Sequence, residues 1–310
     1  MIIYGPVPSR RLGKSLGVNN IPPKKCSYSC VYCQIGRTNN MTIQRQEFYS
    51  VESIYSEIKE KIDLLKLSDE KVDYISFVPD GEPTLDKNLG KHLIKLKEIG
   101  IKTAVITNSS LLWDETVRAD LMNADWVSIK IDAVNKDIWK KIDRPYGSLT
   151  IEQHIKGIKK FAEQYSGTLV TETMLVKGIN DGKESVNEIS ELIKEINPDT
   201  AYILVPTRPP AELYVCKPTI ETIREAYNNF FSKNIYCECI TENEEDTFFF
   251  SDDIESDILS ISSVHPIRKD VIEKLLKRKN LNDNVIEKLK AEDKLSEYTY
   301  ADTIFYKKRF

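Results

Sequence analysis

Three of the six cysteines in this 310-residue chain lie in one short stretch, KKCSYSCVYCQIG. They are Cys26, Cys30 and Cys33, with the spacing CxxxCxxC. The N-terminal residues predict no export signal, and in an intracellular chain such crowding favours metal binding or catalysis over disulfides. Three thiolates are one ligand short of structural zinc, unless a distant side chain completes the set. They do meet the needs of a cubane iron–sulfur cluster in which one iron stays open to another ligand.

A second candidate site follows an apolar, strand-like stretch in VDYISFVPDGEPTL. Asp80, Gly81 and Glu82 form a sequence that on its own is typical of an ordinary turn. At the end of a strand that follows a cysteine loop, the same residues suit a ligand. A glycine lets the backbone approach it closely, and a carboxylate pairs with a cation. Gly81 and Glu82 are therefore typical of a turn as well as of a ligand contact.

The CxxxCxxC pattern with an aromatic residue, Tyr32, before its last cysteine resembles the signature of the radical S-adenosylmethionine (SAM) superfamily. The resemblance implies that Cys26, Cys30 and Cys33 hold a [4Fe–4S] cluster, whose open iron binds the amino and carboxylate groups of SAM. It also implies that the reduced cluster cleaves SAM to methionine and a 5′-deoxyadenosyl radical, which abstracts hydrogen from a substrate. An electron donor such as flavodoxin or ferredoxin is expected.

The same resemblance places SAM contacts at the ends of the predicted strands. Gly81 and Glu82 match a variant of the Gly-Gly-Glu motif and would receive the SAM ammonium group, and Tyr32 would pack near the adenine. Asn180, in Gly-Ile-Asn, resembles a ribose- and adenine-contacting loop, although Gly-x-Asn is also a common turn. The predicted cofactor-binding residues are Tyr32, Gly81, Glu82, Asn108, Ser128, Lys130, Asp132 and Asn180.

The elements that must position these residues alternate between strand-like and helix-like patterns. Short stretches rich in β-branched or aromatic residues occur at 17–21, 72–78, 102–108, 126–132, 168–176, 200–206 and 235–240. Amphipathic stretches lie between them, at 51–66, 86–99, 113–122, 151–165, 183–196 and 220–231. This alternation predicts an α/β fold with parallel strands. About six βα units are too few for an eight-fold barrel, so we expect an open, partial (β/α)6 barrel.

The strand-like stretch WVSIKID carries its polar residues on a single face. Ser128, Lys130 and Asp132 alternate with apolar residues, which in a barrel should face the helices. The polar row would then enter the lumen, where buried polar groups are costly unless they bind something. The alternative is that WVSIKID forms an edge strand with one solvent-exposed face. In the lumen, Lys130 and Asp132 would meet the ribose and carboxylate of SAM, as would Asn108 at the end of the preceding strand.

Segments outside the cysteine motif resemble one branch of the superfamily, the wyosine-synthetase-like group. That group is related to the enzymes that build the tricyclic base of wyosine on tRNA. The matching segments are GPVPSRRLGKSLGV, CVYCQIG, SIKIDA and PTRPPAE, and the resemblance covers about residues 1–240. Wyosine synthases carry additional cysteines ahead of the SAM loop, whereas residues 1–25 contain none. The missing cysteines argue against the chemistry of the wyosine synthases themselves. The relation of the branch to tRNA-modifying enzymes implies a tRNA base or nucleotide as one expected substrate.

Two arginines are candidate substrate contacts. Arg208 in PTRPPAE follows the sixth strand in a loop stiffened by prolines, which suits a guanidinium that binds phosphate or carboxylate. Arg11 is a second candidate, and for both the alternative is an ordinary surface arginine.

The other cysteines are Cys216, Cys237 and Cys239. Their spacing matches no cluster motif, so we interpret them as core residues rather than ligands of a second cluster.

The C-terminal part differs from the rest in charge and pattern. Residues 264–310 carry 12 basic and 8 acidic residues, although the whole chain has a net charge of −4. Residues 241–258 are acidic and contain no basic residue. We predict a radical SAM partial-barrel domain at 1–240, an acidic linker at 241–258 and a small domain at 259–310. Two helix-like stretches and a hairpin turning at Ala301-Asp302 give this domain a winged-helix-like outline.

Composition and motifs together limit the functions. No apolar run approaches the roughly 18 residues needed to cross a bilayer, so we expect a cytoplasmic protein with no membrane partner. The leading hypothesis is a radical SAM enzyme that acts on a tRNA base or nucleotide. One alternative is an enzyme that modifies a peptide or activates a glycyl-radical partner, and the C-terminal domain would then bind protein. Another is a redox-sensing DNA-binding regulator, which needs neither the Asp-Gly-Glu turn nor a polar lumen.

Overall fold

The computed structural model describes residues 2–242, 248, 250, 253–279, 281 and 284–309. The strands are β1 (Ile3–Ser9), β2 (Gly13–Val18), β3 (Lys25–Cys26), β4 (Asn40–Met41), β5 (Tyr74–Phe77), β6 (Lys102–Thr107), β7 (Trp126–Lys130), β8 (Thr168–Met174), β9 (Thr200–Leu204), β10 (Cys237–Ile240), β11 (Ile267–Arg268), β12 (Leu295–Tyr300) and β13 (Thr303–Lys308). The α-helices are α1 (Val51–Leu67), α2 (Leu89–Leu96), α3 (Glu115–Leu121), α4 (Lys136–Ile142), α5 (Ile151–Gln164), α6 (Lys183–Ile196), α7 (Ile220–Ser232), α8 (Ile254–Val264), α9 (Lys269–Arg278) and α10 (Asn284–Ala291). Short 3₁₀ helices lie at Pro83–Leu85 and Lys97–Ile99.

The main sheet has the strand order β1-β2-β5-β6-β7-β8-β9-β10. Every pair from β2 to β10 is parallel, and only β1 runs antiparallel, against β2. The predicted α/β fold with a mostly parallel sheet is therefore confirmed. Two details differ from the prediction. The first parallel strand is Gly13–Val18 rather than 17–21, and β1 was not predicted.

Helix α1 shows how the outer layer forms. Ser50 caps its first turn, since the serine side chain accepts a hydrogen bond from the N–H of Ser53. Its buried face consists of Ile54, Ile58, Ile62 and Leu65, which recur at helical spacing and join the main core. Each fully buried aliphatic side chain contributes about 1.5–3 kcal/mol. Burial of this kind fixes the helices on the outside of the sheet.

The inner face of the sheet has an apolar part and a polar part. The apolar part is a cluster of Leu12, Ala104, Trp126, Val170, Tyr202 and Leu204. Further along β7, Ser128 and Lys130 turn inward and contact Glu172 of β8. Val127 and Ile129, on the other face of β7, lie in the main core with the helices. Polar side chains are thus collected in the lumen at the carboxyl end of the strands, as the alternation in WVSIKID predicts.

The C-terminal segment, residues 254–309, contains a second, antiparallel sheet in the order β11-β13-β12. With helices α8, α9 and α10 it encloses an apolar cluster of its own. Ala301 and Asp302, at φ +46° and +61°, form the turn between β12 and β13. This is the position at which the sequence predicts a hairpin.

The C-terminal segment also packs on the main sheet. Helix α8 contacts β1, and Lys61 of α1 lies 3.9 Å from Asp257 of α8. This helix was not predicted, and it begins at Ile254, inside the range 241–258 assigned to a linker. Residues 243–247, 249 and 251–252 of that range lie outside the described residues. No helix in the described ranges is long and apolar enough to cross a membrane.

Candidate active site at the carboxyl end of the sheet

The cysteine loop, residues 24–36, follows β2 and is fixed to the barrel by backbone hydrogen bonds. The N–H of Lys24 donates to the carbonyl of Asp80 at 2.8 Å, and the N–H of Val31 donates to that of Ile142 at 2.9 Å. Val31 is fully buried and anchors the loop between its second and third cysteines. The loop therefore lies at the carboxyl end of the parallel strands, where such folds build their sites.

The thiols of Cys26, Cys30 and Cys33 are free and partly buried. Burial raises the pKa of the Cys26 thiol, and the carboxylate of Glu82 adds to the effect. Burial also raises the pKa of the Cys30 thiol, with further contributions from Asp143 and from the other two thiols. The three sulfur atoms are thus close enough to interact. The thiolate forms need compensating positive charge, which iron supplies.

This donor set fits a cubane cluster rather than a single ion. Within the described part of the chain, no group of three or more His, Cys, Asp or Glu side chains has the geometry to hold one metal ion. Zinc requires its ligands around one point. A [4Fe–4S] cluster instead spreads its thiolate ligands over several irons. Three cysteines that interact without converging on one point match the second case.

Gly81 brings the predicted Asp-Gly-Glu turn against the cysteine loop. Its φ is +155°, and a Cβ at this position would overlap the carbonyl oxygen of Lys25. The N–H of Glu82 donates to the same carbonyl at 3.1 Å. Only glycine permits this close approach. The turn therefore lies directly beside Cys26.

Glu82 is 1% exposed, and the protein holds its carboxylate with four hydrogen bonds. Oε1 accepts from Thr84 N at 3.1 Å, from Thr84 Oγ1 at 2.6 Å and from Thr107 Oγ1 at 2.6 Å. Oε2 accepts from the N–H of Asn108 at 2.7 Å, and Nδ2 of Asn108 reaches Cys26 Sγ at 3.5 Å. Burial raises the pKa of Glu82, although these hydrogen bonds oppose the shift. Oε2 keeps acceptor capacity for a cation.

A charged cluster occupies the polar end of the lumen. Glu172 pairs in register with Lys130, and its Oε2 lies 3.7 Å from the lysine Nζ. Ser128 Oγ donates to Glu172 Oε1 at 2.7 Å, and Arg11 forms an ion pair with the same carboxylate. Burial would raise the pKa of Glu172, but Arg11 and Lys130 outweigh it and leave the pKa below its usual value. One ionised carboxylate thus faces two cations.

Tyr32 connects this cluster to the cysteine loop. Its hydroxyl donates to Asp132, and Nζ of Lys130 lies 5.2 Å from the centroid of its ring. Asp143 lies in the same group, with Oδ1 3.4 Å from the Tyr32 hydroxyl and 3.4 Å from Cys30 Sγ. Burial raises the pKa of Asp132 and of Asp143, and the charge of Asp132 adds to the shift of Asp143.

Asn180 is buried, and its side chain forms hydrogen bonds with backbone groups of the protein. Oδ1 accepts from the N–H of Val176 at 2.8 Å. Nδ2 donates to the carbonyls of Asp132 at 2.9 Å and Met174 at 2.8 Å. Asn180 therefore shapes the loop after β8, and a ligand contact from this loop would come from its backbone. The predicted SAM contact of Asn180 stays a prediction.

A cavity of about 270 Å³ opens among these groups. The predicted site residues on its wall are Arg11, Tyr32, Cys33, Lys130 and Arg208. Nη1 of Arg208 donates to Oε1 of Gln34 at 3.0 Å, which ties the loop after β9 to the cysteine loop. The predicted residues that do not line the cavity are Cys26, Cys30, Gly81, Glu82, Asn108, Ser128, Asp132 and Asn180.

Two residues of the site were not predicted. Glu172 is the only charged residue in the stretch TLVTETMLV, and its position two residues after Val170 places it on the inward face. That alternation could have revealed it. Asp143 ends helix α4, which no periodicity predicts because the helix is short.

The remaining cysteines lie away from this cavity. Cys216 is exposed, so its prediction as a core residue is wrong, whereas Cys237 and Cys239 belong to the main core or pack against it. Burial raises the pKa of Cys237 to about 11, and the nearby Cys239 adds to the shift. Core packing is therefore the interpretation that the structure supports for the pair.

Comparison with known proteins places this geometry in a family. The model of the Radical SAM superfamily matches residues 20–194. A UPF0026 protein of Methanocaldococcus jannaschii is 47% identical over 310 residues, which cover 99% of this chain and 96% of that protein. A probable dual-specificity RNA methyltransferase RlmN of Endomicrobium trichonymphae is 26% identical over 64% of this chain and 57% of that protein. The solved structure of TYW1 with a lysine-pyruvate adduct bound superposes with a TM-score of 0.54 at 14% identity, covering 70% of this chain and 73% of that one.

The chain therefore belongs to the radical SAM superfamily, and within it to the group of UPF0026 proteins. It is a radical SAM enzyme whose cofactors are a [4Fe–4S] cluster and SAM. The predictions of the superfamily and of both cofactors are confirmed. The likeness to TYW1 extends to the fold alone.

Proposed function

We propose that the protein cleaves SAM reductively at a cluster bound by Cys26, Cys30 and Cys33, and then abstracts hydrogen from a tRNA base or nucleotide. The observation that carries this proposal is the shared cavity. Cys33 lies on the same wall as Arg11 and Arg208. A cluster ligand and two guanidinium groups that suit an anionic substrate therefore face one space.

When bound, the cluster supplies the electron that splits SAM into methionine and a 5′-deoxyadenosyl radical. The chain holds and orients the reactants. Glu82, fixed by two threonines and the N–H of Asn108, offers Oε2 to the SAM ammonium group. Gly81 lets the backbone approach SAM beside the cluster. Tyr32 presents its ring to the cavity, where an adenine can stack.

The polar residues on the inward face of WVSIKID, which are Ser128, Lys130 and Asp132, complete the proposed SAM site. Lys130 carries an ammonium group into the cavity that suits the SAM carboxylate. Burial opposes its charge, but Asp132 and Glu172 raise the pKa of Lys130 above its usual value. Ser128 orients Glu172, and Asp132 orients Tyr32. Asn108 adds a contact near the ribose.

The choice of RNA as substrate has two supports. One is the relative whose name describes an RNA methyltransferase, which aligns with 64% of this chain. The other is the pair of arginines on the cavity wall, because guanidinium groups recognise phosphate in two-point geometry. The wyosine-synthetase-like branch stays part of this proposal.

The C-terminal segment has a place in the proposal as an RNA-docking domain. Its order of helix, strand, two helices and hairpin supports the proposal of a winged-helix-like domain. We keep the division into a barrel at 1–240, a linker at 241–258 and a small domain at 259–310, with helix α8 extending into the linker range. Lys277, Arg278 and Lys279 are exposed at the end of α9 and would contact the RNA phosphates. A cytoplasmic location and a flavodoxin or ferredoxin donor also belong to the proposal.

The direct test compares RNA from cells with and without the gene. Nucleosides from each RNA are separated and identified by mass spectrometry, and any RNA that differs is incubated anaerobically with reduced, cluster-loaded protein and SAM. We expect a nucleoside that disappears with the gene and is restored by the protein. Identical nucleoside profiles, with 5′-deoxyadenosine release stimulated only by a peptide or partner protein, would support the peptide-modifying or glycyl-radical-activating alternative instead.

A further inference from the structure

The C-terminal hairpin reaches the cysteine loop. Gly36 closes that loop with a φ of +96°, and a Cβ there would lie 3.2 Å from Nζ of Lys307 and 3.5 Å from Nζ of Lys24. Lys307 lies on β13 in register with Ser296 of β12, so the hairpin fixes its position. Two ammonium groups from opposite ends of the chain therefore meet at the end of the cysteine loop.

Among the described residues, the carboxylate of Asp80 lies near both ammonium groups. Nζ of Lys24 is 4.0 Å from Oδ1 of Asp80 and also donates to the carbonyl of Ile35. Asp80 is buried, and its Oδ2 has no hydrogen-bond partner within the described residues. The N–H of Gly36 donates to the carbonyl of Cys33 at 3.0 Å, so the two ammonium groups beside Gly36 also lie near Cys33. Nearby negative charge stabilises ammonium groups that are partly buried.

The electrostatics of these lysines agree with their position beside Cys33. Burial and the like charge of Lys24 lower the pKa of Lys307 to about 8, whereas Cys33 and Asp80 oppose the shift. Burial likewise lowers the pKa of Lys24, and Asp80 and Cys33 oppose it. Negative charge at Cys33 therefore favours the charged form of both lysines.

Other contacts hold the C-terminal segment in this place. Nε2 of Gln34 donates to the carbonyl of Val264, the last residue of α8, at 2.9 Å. The hydroxyl of Tyr300 on β12 donates to the carbonyl of Pro206 at 3.3 Å. The segment thus contacts the cysteine loop and the loop after β9. These contacts fix the position of Lys307.

We propose that Lys307, together with Lys24, supplies fixed positive charge beside Cys33 that raises the reduction potential of the bound cluster. The inference rests on the proposed cluster site. Reduction transfers one electron from a low-potential one-electron donor and makes the cluster more negative by one charge, with no bond formed or broken. A nearby cation stabilises the reduced form more than the oxidised form. The C-terminal segment is therefore part of the redox site.

The test is a redox titration of cluster-loaded, full-length protein without SAM. Titanium(III) citrate sets the solution potential, and the electron paramagnetic resonance signal of the reduced cluster measures the reduced fraction. The neutral variants are Lys307→Gln and Lys307→Met, whose unbranched side chain suits the half-buried position. Lys307→Arg keeps the charge. Lys290→Gln is the matched control, because it removes one charge from the same segment where the partners are Glu287 and Glu297.

We expect the neutral variants to lower the ratio of reduced to oxidised cluster at a fixed potential by about tenfold, which is about 59 mV for a one-electron couple. Lys307→Arg and Lys290→Gln should titrate like the wild type. Iron content and circular dichroism identify which variants are folded and loaded. The inference is overturned if a loaded neutral variant titrates like the wild type, or if Lys290→Gln shifts equally. A wild-type protein that binds no reducible four-iron cluster would instead refute the proposed function itself.

Discussion

Glu82 shows how one side chain can serve both the fold and the ligand. Thr84 and Thr107 saturate Oε1, so that oxygen stabilises the turn. Among the described residues, Oε2 accepts a hydrogen bond only from the N–H of Asn108, so it is the oxygen with capacity for a cation. Because Asn108 also contacts Cys26, the carboxylate links the proposed ammonium site to a cluster ligand.

This arrangement predicts the effect of Glu82→Gln. The change removes the negative charge that would pair with the SAM ammonium group, and a hydrogen bond to a charged group is worth about 1.5–3 kcal/mol. We expect SAM affinity to fall by about tenfold to a hundredfold, measured by equilibrium binding to cluster-loaded protein under anaerobic conditions. Thr84→Val is the control, since it removes a hydroxyl from Oε1 and keeps the carboxylate. Equal SAM affinity in Glu82→Gln and the wild type would show that the ammonium group binds elsewhere.

At the scale of elements, helices α4 and α5 form the platform beneath the cysteine loop. Trp139 of α4 donates from Nε1 to the Tyr28 hydroxyl at 3.1 Å, and the same hydroxyl lies 3.4 Å from Nδ1 of His154 on α5. The imidazole stacks on the Trp139 ring with centroids 5.9 Å apart. Burial lowers the pKa of His154 to about 4, although a hydrogen bond to the backbone of Ser109 opposes the shift.

The lowered pKa of His154 predicts a loss of stability in acid. Between pH 6.5 and pH 4 the unfolded chain binds a proton at this residue that the folded chain does not. The contribution of neutral His154 to the free energy of unfolding is therefore fully present above about pH 6.5. It falls as the pH falls and is about 2 kcal/mol smaller at pH 5. Urea unfolding of reduced, metal-free protein at pH 7.5 and pH 5 measures the loss.

His154→Gln is the comparison that isolates this residue. Buried carboxyls with raised pKa, such as Asp80 at about 6, act in the opposite direction, but they are present in both proteins. We expect the variant to be less stable at pH 7.5 and to lose about 2 kcal/mol less than the wild type on acidification. The same pH dependence in both proteins would mean that the imidazole is protonated in the fold.

The sequence predicts most elements of the barrel because their patterns are local. Six parallel strands and six amphipathic helices lie where alternation and helical spacing indicate, and the first parallel strand begins four residues earlier than predicted. Strand β1 was not predicted because IYGPVPS contains a glycine and two prolines, which argue against a strand except at an edge. Helix α8 was not predicted because its buried positions include serines as well as apolar residues, so the sequence shows no continuous apolar stripe.

At the scale of the whole molecule, chain segments far apart in sequence complete the site. The cysteines and the Asp-Gly-Glu turn are recognisable because their motifs are compact. Asp143, Glu172 and Lys307 join the site through packing between elements, which no local pattern records. The C-terminal segment was predicted from its charge and pattern as a separate domain. Its contacts with β1 and the cysteine loop arise from tertiary packing alone.

The proposed role of the C-terminal segment predicts how RNA binding depends on salt. Replacing Lys277, Arg278 and Lys279 with glutamine should remove up to three phosphate contacts and reduce the slope of log K against log salt by about two. Fluorescence anisotropy with labelled tRNA at several salt concentrations measures the slope.

The control for this prediction carries the same loss of charge elsewhere. Lys59, Lys66 and Lys97 are exposed on the outer helical layer, and their replacement with glutamine should leave the slope unchanged. SAM cleavage without substrate should be unaffected in both triple variants. Equal slopes in the wild type and the α9 variant would place the RNA on another surface. Absence of tRNA binding at low salt would favour a protein partner.

The central claim is that Cys26, Cys30 and Cys33 bind the cluster at which SAM is cleaved. Its most direct test is iron content together with 5′-deoxyadenosine released from SAM by anaerobic, reduced protein. The wild type should hold about four irons and release 5′-deoxyadenosine, and replacement of the three cysteines with alanine should abolish both. The matched control replaces the other three cysteines, Cys216, Cys237 and Cys239, with alanine and should keep iron and product. Iron and product lost in the control but retained in the first triple variant would contradict the account.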